Sequence, residues 1–165
     1  MSSFIKELNR IYINNKRLDD IFAHKYEKNE PEMFSKNCIE LLTELGEFAN
    51  ETKCFKYWSI KEAKKDECLE EYADCITMVL FFYNILDMNL EEIDKHDDIN
   101  NILEMFNNLF KISTELMDNC NASNVSKLFN NLLYLGKLFN YNEDDIIKAC
   151  DNKHRKIEER LNSNY

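Results

Sequence analysis

Residues 67–83 read Glu67-Cys68-Leu69-Glu70-Glu71-Tyr72-Ala73-Asp74-Cys75-Ile76-Thr77-Met78-Val79-Leu80-Phe81-Phe82-Tyr83. At ~100° per residue, Glu67, Glu70, Glu71 and Asp74 fall on one side of a helix. Directly after Asp74 the segment turns apolar on every side. A helix without a polar face is buried all round, and this run is far shorter than the ~20 residues a membrane span needs. The pattern predicts a core helix over about 61–86, with Asp74 and Glu71 at the core's edge. A carboxylate there must be paired, protonated or metal-bound.

Working outward, the spacing of apolar residues predicts five to six helices and no strand. A first helix over 3–28 is marked by Ile5, Leu8, Tyr12, Leu18, Phe22 and Tyr26, and is broken at Asn29-Glu30-Pro31. A second, over 32–52, carries Phe34, Cys38, Leu41, Leu42, Leu45 and Phe48. Beyond the core helix, a charged run from Glu91 to Asp98 reads as a solvated connector. Ile102, Phe106, Leu109, Phe110 and Leu116 mark a fourth helix; Val125, Leu128, Phe129, Leu132, Leu135 and Phe139 mark a fifth. A last helix spans about 144–161. Gly46, inside the second helix, reads as a close helix contact, since helix interiors otherwise disfavour glycine.

The whole chain, 1–165, fits a single all-α domain. Two glycines and one proline cannot build a Rossmann turn, a P-loop or the many turns of a sandwich. Against 21 Lys and Arg stand 31 Asp and Glu, a net charge of −10, which excludes a general nucleic-acid binder. The six cysteines form no C-x-x-C pair, and no apolar leader precedes them, so a cytoplasmic protein with reduced thiols and no membrane span is expected. Cys38 and Cys75 read as small core hydrophobes.

The second helix carries its own acid. Glu40, Glu44, Glu47 and Glu51 share about 60° of arc, with no Lys or Arg interleaved. Like charges so placed repel. Alone, the stripe reads equally as a solvated face. Opposite the acidic side of the core helix, it builds an all-oxygen cage between two core helices, the ligand set hard cations such as Mg²⁺ prefer. A di-iron bundle would need two Glu-x-x-His pairs, and the three histidines supply only one near match, Asp151-x-x-His154. Zinc chemistry lacks a Cys/His set. Oxygen ligands alone point to Mg²⁺ handling phosphates.

The same residues resemble a known family. Glu44-Leu45-Gly46-Glu47, then 23 residues, then Glu71-Tyr72-Ala73-Asp74 is the E-x-x-E…E-x-x-D pattern of the all-α NTP pyrophosphatase superfamily. The string from Glu40 to Ser59, ending Glu51-Thr52-Lys53-Cys54-Phe55-Lys56-Tyr57-Trp58-Ser59, is similar to the dimeric all-α dUTPases, whose consensus there is close to ELANE-x-[KR]-x-FK-x-WS. Leu18-Asp19 and Leu69 to Asp74 extend the likeness, and Lys153, Arg160 and Tyr165 fall at the spacing of the family's K-x-x-x-N-x-x-R-Q-x-x-G-Y tail. From about Asp87 to Asp144 the likeness is in helicity alone. The tail's Asn, Gln and Gly positions hold Ile157, Leu161 and Asn164; Thr77 stands where a His often follows, and Asn15 where a Gln often precedes Leu18.

The resemblance implies a homodimeric enzyme that cleaves dUTP to dUMP and pyrophosphate. Glu44, Glu47, Glu71 and Asp74 would hold two or more Mg²⁺ ions and carry catalysis, with Glu44 or Glu47 acting on the attacking water. Asn15, Lys53, Lys56, Trp58, Lys153 and Arg160 would bind substrate. On residue chemistry alone Trp58 is a base-stacking ring or a core anchor, Lys53 and Lys56 are phosphate partners or solvated lysines, and Arg160 is a phosphate partner or a helix C-terminal cation. Phe55 reads as core. Phe129, Leu132, Leu135 and Phe139 suit either a dimer interface or internal core. The altered Asn15, Thr77 and Ile157 favour, as an alternative, a MazG-type or dCTP-type pyrophosphatase of other base specificity. A helical interaction or cation-binding protein without catalysis is the remaining alternative.

Overall fold

The structure is a computed structural model and describes residues 2–26, 32–90, 93 and 95–163. Among the described residues the chain forms six helices and no strand: α1 (Ser3–Lys25), α2 (Met33–Thr52), α3 (Lys65–Ile85), α4 (Ile102–Glu115), α5 (Ala122–Leu138) and α6 (Glu143–Asn162). The core helix expected from residues 67–83 is α3. It packs against α1, α2, α5 and α6, because Tyr72, Ala73, Cys75, Ile76, Val79, Leu80 and Phe82 leave no face for water. Cys38 and Cys75 are fully buried free thiols. None of the described helices is long and apolar enough to cross a membrane.

Helix ends follow local chemistry. α3 begins at Lys65, four residues later than the spacing predicts, since residues 61–64 are exposed and bring no large apolar side chain to the core. α2 ends where Lys53 adopts a left-handed conformation, φ 57°. α6 starts on a reciprocal capping box between Asn142 and Asp145. α1 stops at Lys25, short of the expected residue 28, and Tyr26 is exposed. The expected break at Asn29-Glu30-Pro31 lies outside the described residues.

In the second half of the chain one expectation is corrected and one open alternative is decided. The acidic connector is not merely solvated. Asp97 accepts hydrogen bonds from Asn108 and Asn131 and pairs with Lys127, which fastens the connector to α4 and α5. Its charged residues 91, 92 and 94 lie outside the described set. Phe129, Leu132 and Leu135 are fully buried inside the bundle, so they serve as internal core.

The glycines reverse the expected packing. A Cβ added at Gly46 would meet nothing within 4 Å, so no close helix contact occurs there. The tight site is Gly136, where an added Cβ would stand 2.6 Å from the Tyr72 hydroxyl. That hydroxyl is held on the Leu132 carbonyl at 3.0 Å, and the ring is fully buried. Chemical denaturation should therefore give opposite signs for one and the same change. Gly46→Ala should stabilise by about 0.5–1 kcal/mol through helix propensity. Gly136→Ala should destabilise by about 1–3 kcal/mol through overpacking. Equal effects at the two sites would contradict this packing.

Candidate active site

Burial of Leu41, Leu45 and Phe48 orients α2. Its acidic stripe then lies about 100° around the helix from the apolar one, on the flank beside α3. Four of the eight acidic side chains in the α2 and α3 clusters, Asp74 among them, have a cation of their own. Glu51 pairs with Lys53, Glu67 with Lys64 and Glu70 with Lys156. Glu44, Glu47 and Glu71 have no ion pair among the described residues. One carboxylate oxygen from each lies within 4.8 Å of the others.

At ~5 Å, two unit charges in an effective dielectric of about 20 repel by about 3 kcal/mol. Such a cluster is a poor structural device and a good cation site. Burial, then the charge of Asp74, pushes the Glu44 carboxyl up to about 7. Burial, with Asp74 and Glu47, raises that of Glu71. Glu44 Oε2 is buried without a hydrogen-bond partner. An all-oxygen set with an orphaned buried oxygen fits a hard divalent cation.

Asp74, expected as the fourth ligand, stands beside the three rather than among them. Its Oδ2 meets Lys153 Nζ at 2.6 Å, with both side chains mostly buried. Its Oδ1 is buried and unpartnered. Burial raises the Asp74 carboxyl, and the Lys153 charge opposes that rise.

Glu44 and Asp74 both border a solvent-open cavity of about 330 Å³ between α1, α2, α3 and α6. That volume is at the small end of ligand pockets, roughly 300–1,000 Å³. Leu18, Phe22, Met78, Phe81 and Ile157 supply apolar walls; Lys153 and Arg160 supply cations; Asn15, Asn37 and Thr77 supply polar atoms. Three of the six expected substrate residues, Asn15, Lys153 and Arg160, are therefore brought together. The other three are not among its lining residues. Lys53 holds the Glu51 carbonyl and carboxylate, both at 3.2 Å. Lys56 lies over the Phe55 ring. Trp58 is 63% exposed, edge-on to Tyr57 and Phe55, so it is not a core anchor, and Phe55, 44% exposed, is not core.

Asn37 and His154 were not read from the sequence as cavity or support residues. Asn37 had a signal: a polar residue three after Phe34 and four before Leu41, in the apolar stripe. It is buried and donates to the Met33 carbonyl. His154 likewise follows Cys150 by four on the inward side of α6. Burial pushes its imidazole down to about 4, from an ordinary 6.5. Above 6.5 it costs nothing, being neutral folded and unfolded. Between 6.5 and about 4 the unfolded chain takes a proton that the folded one refuses, so stability falls as pH falls. Urea unfolding should show wild type losing up to about 3 kcal/mol across that window relative to His154→Gln. Parallel pH curves would refute it.

An all-α bundle with unpaired carboxylates from two neighbouring helices, beside a cavity with a cationic wall, belongs to the class of all-α nucleotide pyrophosphatases. The family model described as dUTPase matches residues 7–165, and the chain belongs to that family, the dimeric all-α dUTPases. The match runs through the middle of the chain, beyond the segments where the likeness was legible. Membership makes the chain an enzyme of dUTP hydrolysis. Comparison with curated proteins and with solved structures gave no match.

Proposed function

We propose that this enzyme is a Mg²⁺-dependent dUTP diphosphatase that releases dUMP and pyrophosphate. The observation that carries it is the gathering of Glu44, Glu47 and Glu71, unpaired, beside a cavity lined by Lys153 and Arg160. Glu44, Glu47 and Glu71 would hold the cation, with the buried, unpartnered Asp74 Oδ1 a candidate for a further ligand or a second ion. Mg²⁺ held there would offset the charge of the triphosphate and stabilise that of the transition state. Arg160 and Lys153 present charge to the phosphates, Arg160 with a fork suited to bidentate contact. Leu18, Phe22 and Phe81 offer apolar surface to the base and exclude water from it, while Asn15 presents a polar edge.

Pyrophosphate release from dUTP, dCTP and dTTP, each with Mg²⁺ and with a chelator, tests this. Preference for dUTP and loss on chelation are expected. Equal rates on dCTP or dTTP would overturn the uracil assignment, and full activity with chelator the metal assignment. A dCTP-type or MazG-type specificity is the second reading, favoured by Thr77 and Ile157 on the cavity wall. A homodimer is supported by Tyr57, Trp58 and Ile60, which crowd one loop at 95%, 63% and 100% exposure. Light scattering at micromolar concentration should return twice the chain mass; a monomer would refute it. Six free thiols support a reducing, cytoplasmic setting.

A further inference from the structure

A line of side chains runs from the surface into the cavity wall, and its chemistry fixes every donor and acceptor in it. Arg17, ion-paired with Glu158, donates from Nε to Asn14 Oδ1 at 3.0 Å. A guanidinium can only donate, so Asn14 must turn its NH₂ toward His154. Asn14 Nδ2 lies 2.9 Å from His154 Nδ1, which makes Nδ1 the acceptor and leaves the proton on Nε2. His154 Nε2 then donates to Asn15 Oδ1 at 3.1 Å. Asn15 Nδ2 in turn donates to the Asp19 carboxylate at 3.2 Å and the Thr77 carbonyl at 3.3 Å. Those end groups can only accept, so both ends of the line demand the same polarity. The imidazole is 2% exposed, and burial keeps it neutral, as this arrangement requires.

The geometry points to His154 as the positioning residue that holds the Asn15 carboxamide in place on the cavity wall, and through it sets base selectivity. His154 reaches the substrate only through Asn15; it is absent from the cavity lining, whereas Asn15 is part of it. Without the imidazole, Asn15 Oδ1 would face hydrocarbon. A buried acceptor left unsatisfied is costly, so the side chain would swing toward cavity water. A carboxamide free to move presents oxygen or NH₂ to a base edge and separates a uracil from a cytosine edge poorly. This inference rests on the proposal that the cavity holds the base.

The test is the ratio of kcat/KM for dUTP over dCTP in His154→Leu, His154→Gln, Asn15→Ala and the double variant His154→Leu/Asn15→Ala, with thermal unfolding measured alongside. His154→Leu should lower the ratio about tenfold, the worth of one well-made hydrogen bond, through KM for dUTP rather than kcat. Glutamine carries a donor and an acceptor on a side chain of similar reach, so His154→Gln should stay within about threefold of wild type. Adding His154→Leu to Asn15→Ala should change the ratio no further. An unchanged ratio in folded His154→Leu, equal loss in the Gln and Leu variants, or multiplying effects in the double variant would each overturn the proposal. Should His154→Leu not fold, Asn14→Leu, at a half-buried position, should lower the ratio about threefold, and no change there is equally decisive. A wild-type ratio near one would overturn the uracil reading itself, whereas a high wild-type ratio left unchanged by His154→Leu overturns the role of His154 alone.

Discussion

Glu47→Gln and Glu71→Gln should each lower Mg²⁺-dependent dUTP hydrolysis by about 10²–10³-fold, the several kcal/mol that a Lewis-acidic cation supplies to phosphoryl-type transition states. The metal-free variants should be as stable as wild type or more stable. Each change removes a negative charge from a group whose ligand oxygens lie within 4.8 Å of one another with no ion pair among them. Relief of repulsion worth about 3 kcal/mol per pair at an effective dielectric near 20 is the upper bound, and the exposure of Glu47 reduces its share through screening. Activity lost together with stability would mean that the carboxylates hold the fold. Activity retained in either variant would sink the metal-site assignment. Thermal unfolding with and without Mg²⁺ separates the cases further: wild type should gain a Mg²⁺-dependent increase in melting temperature, and the variants should lose most of it. Glu67→Gln is the matched control. Glu67 is ion-paired to Lys64 and is not one of the gathered three, so its change should leave hydrolysis within about twofold.

Helix α3 discloses its place in the fold through its own residues and withholds the pairing of its carboxylates. Glu67 to Tyr83 carries its own explanation: carboxylates on one side, then no polar face, hence a buried axis with acid at its rim. That placed α3 at the centre of the bundle and its acid beside α2. What remained illegible depends on long-range pairing. The acidic clusters of α2 and α3 hold eight carboxylates, and nothing in the local pattern separates Glu44, Glu47 and Glu71 from Glu51, Glu67 and Glu70, whose cations come from the nearby loop, the start of α3 and α6. The loop after α2 failed for a related reason. Phe55 and Trp58 are apolar enough to read as core, yet burial is decided by what packs over a loop, and there they remain exposed. Gly46 failed because close approach is a property of the facing helix; the helix that does approach a glycine closely is α5, at Gly136, against Tyr72.

Lys153→Met should cost about 3 kcal/mol of stability at neutral pH, measured by urea unfolding in the absence of metal. The ion pair with Asp74 is mostly buried, with side chains 16% and 13% exposed. Breaking such a pair from one side leaves an uncompensated charge among Glu44, Glu71 and the core. Asp74 has no reserve to draw on, because its second oxygen, Oδ1, is already buried without a partner. Adding Asp74→Asn should recover most of the loss, since the amide removes the charge at nearly constant volume, so the double variant should lie within about 1 kcal/mol of wild type. The surface pair Arg155–Glu159, more than 60% exposed on both sides, supplies the contrast: Arg155→Met should cost less than about 0.5 kcal/mol. A Lys153→Met variant as mild as Arg155→Met would mean that Asp74 is solvated in solution and that the rim of the core lies deeper than Asp74. A double variant no better than the single would mean that the Lys153 stem, on the cavity wall, carries the stability rather than its charge.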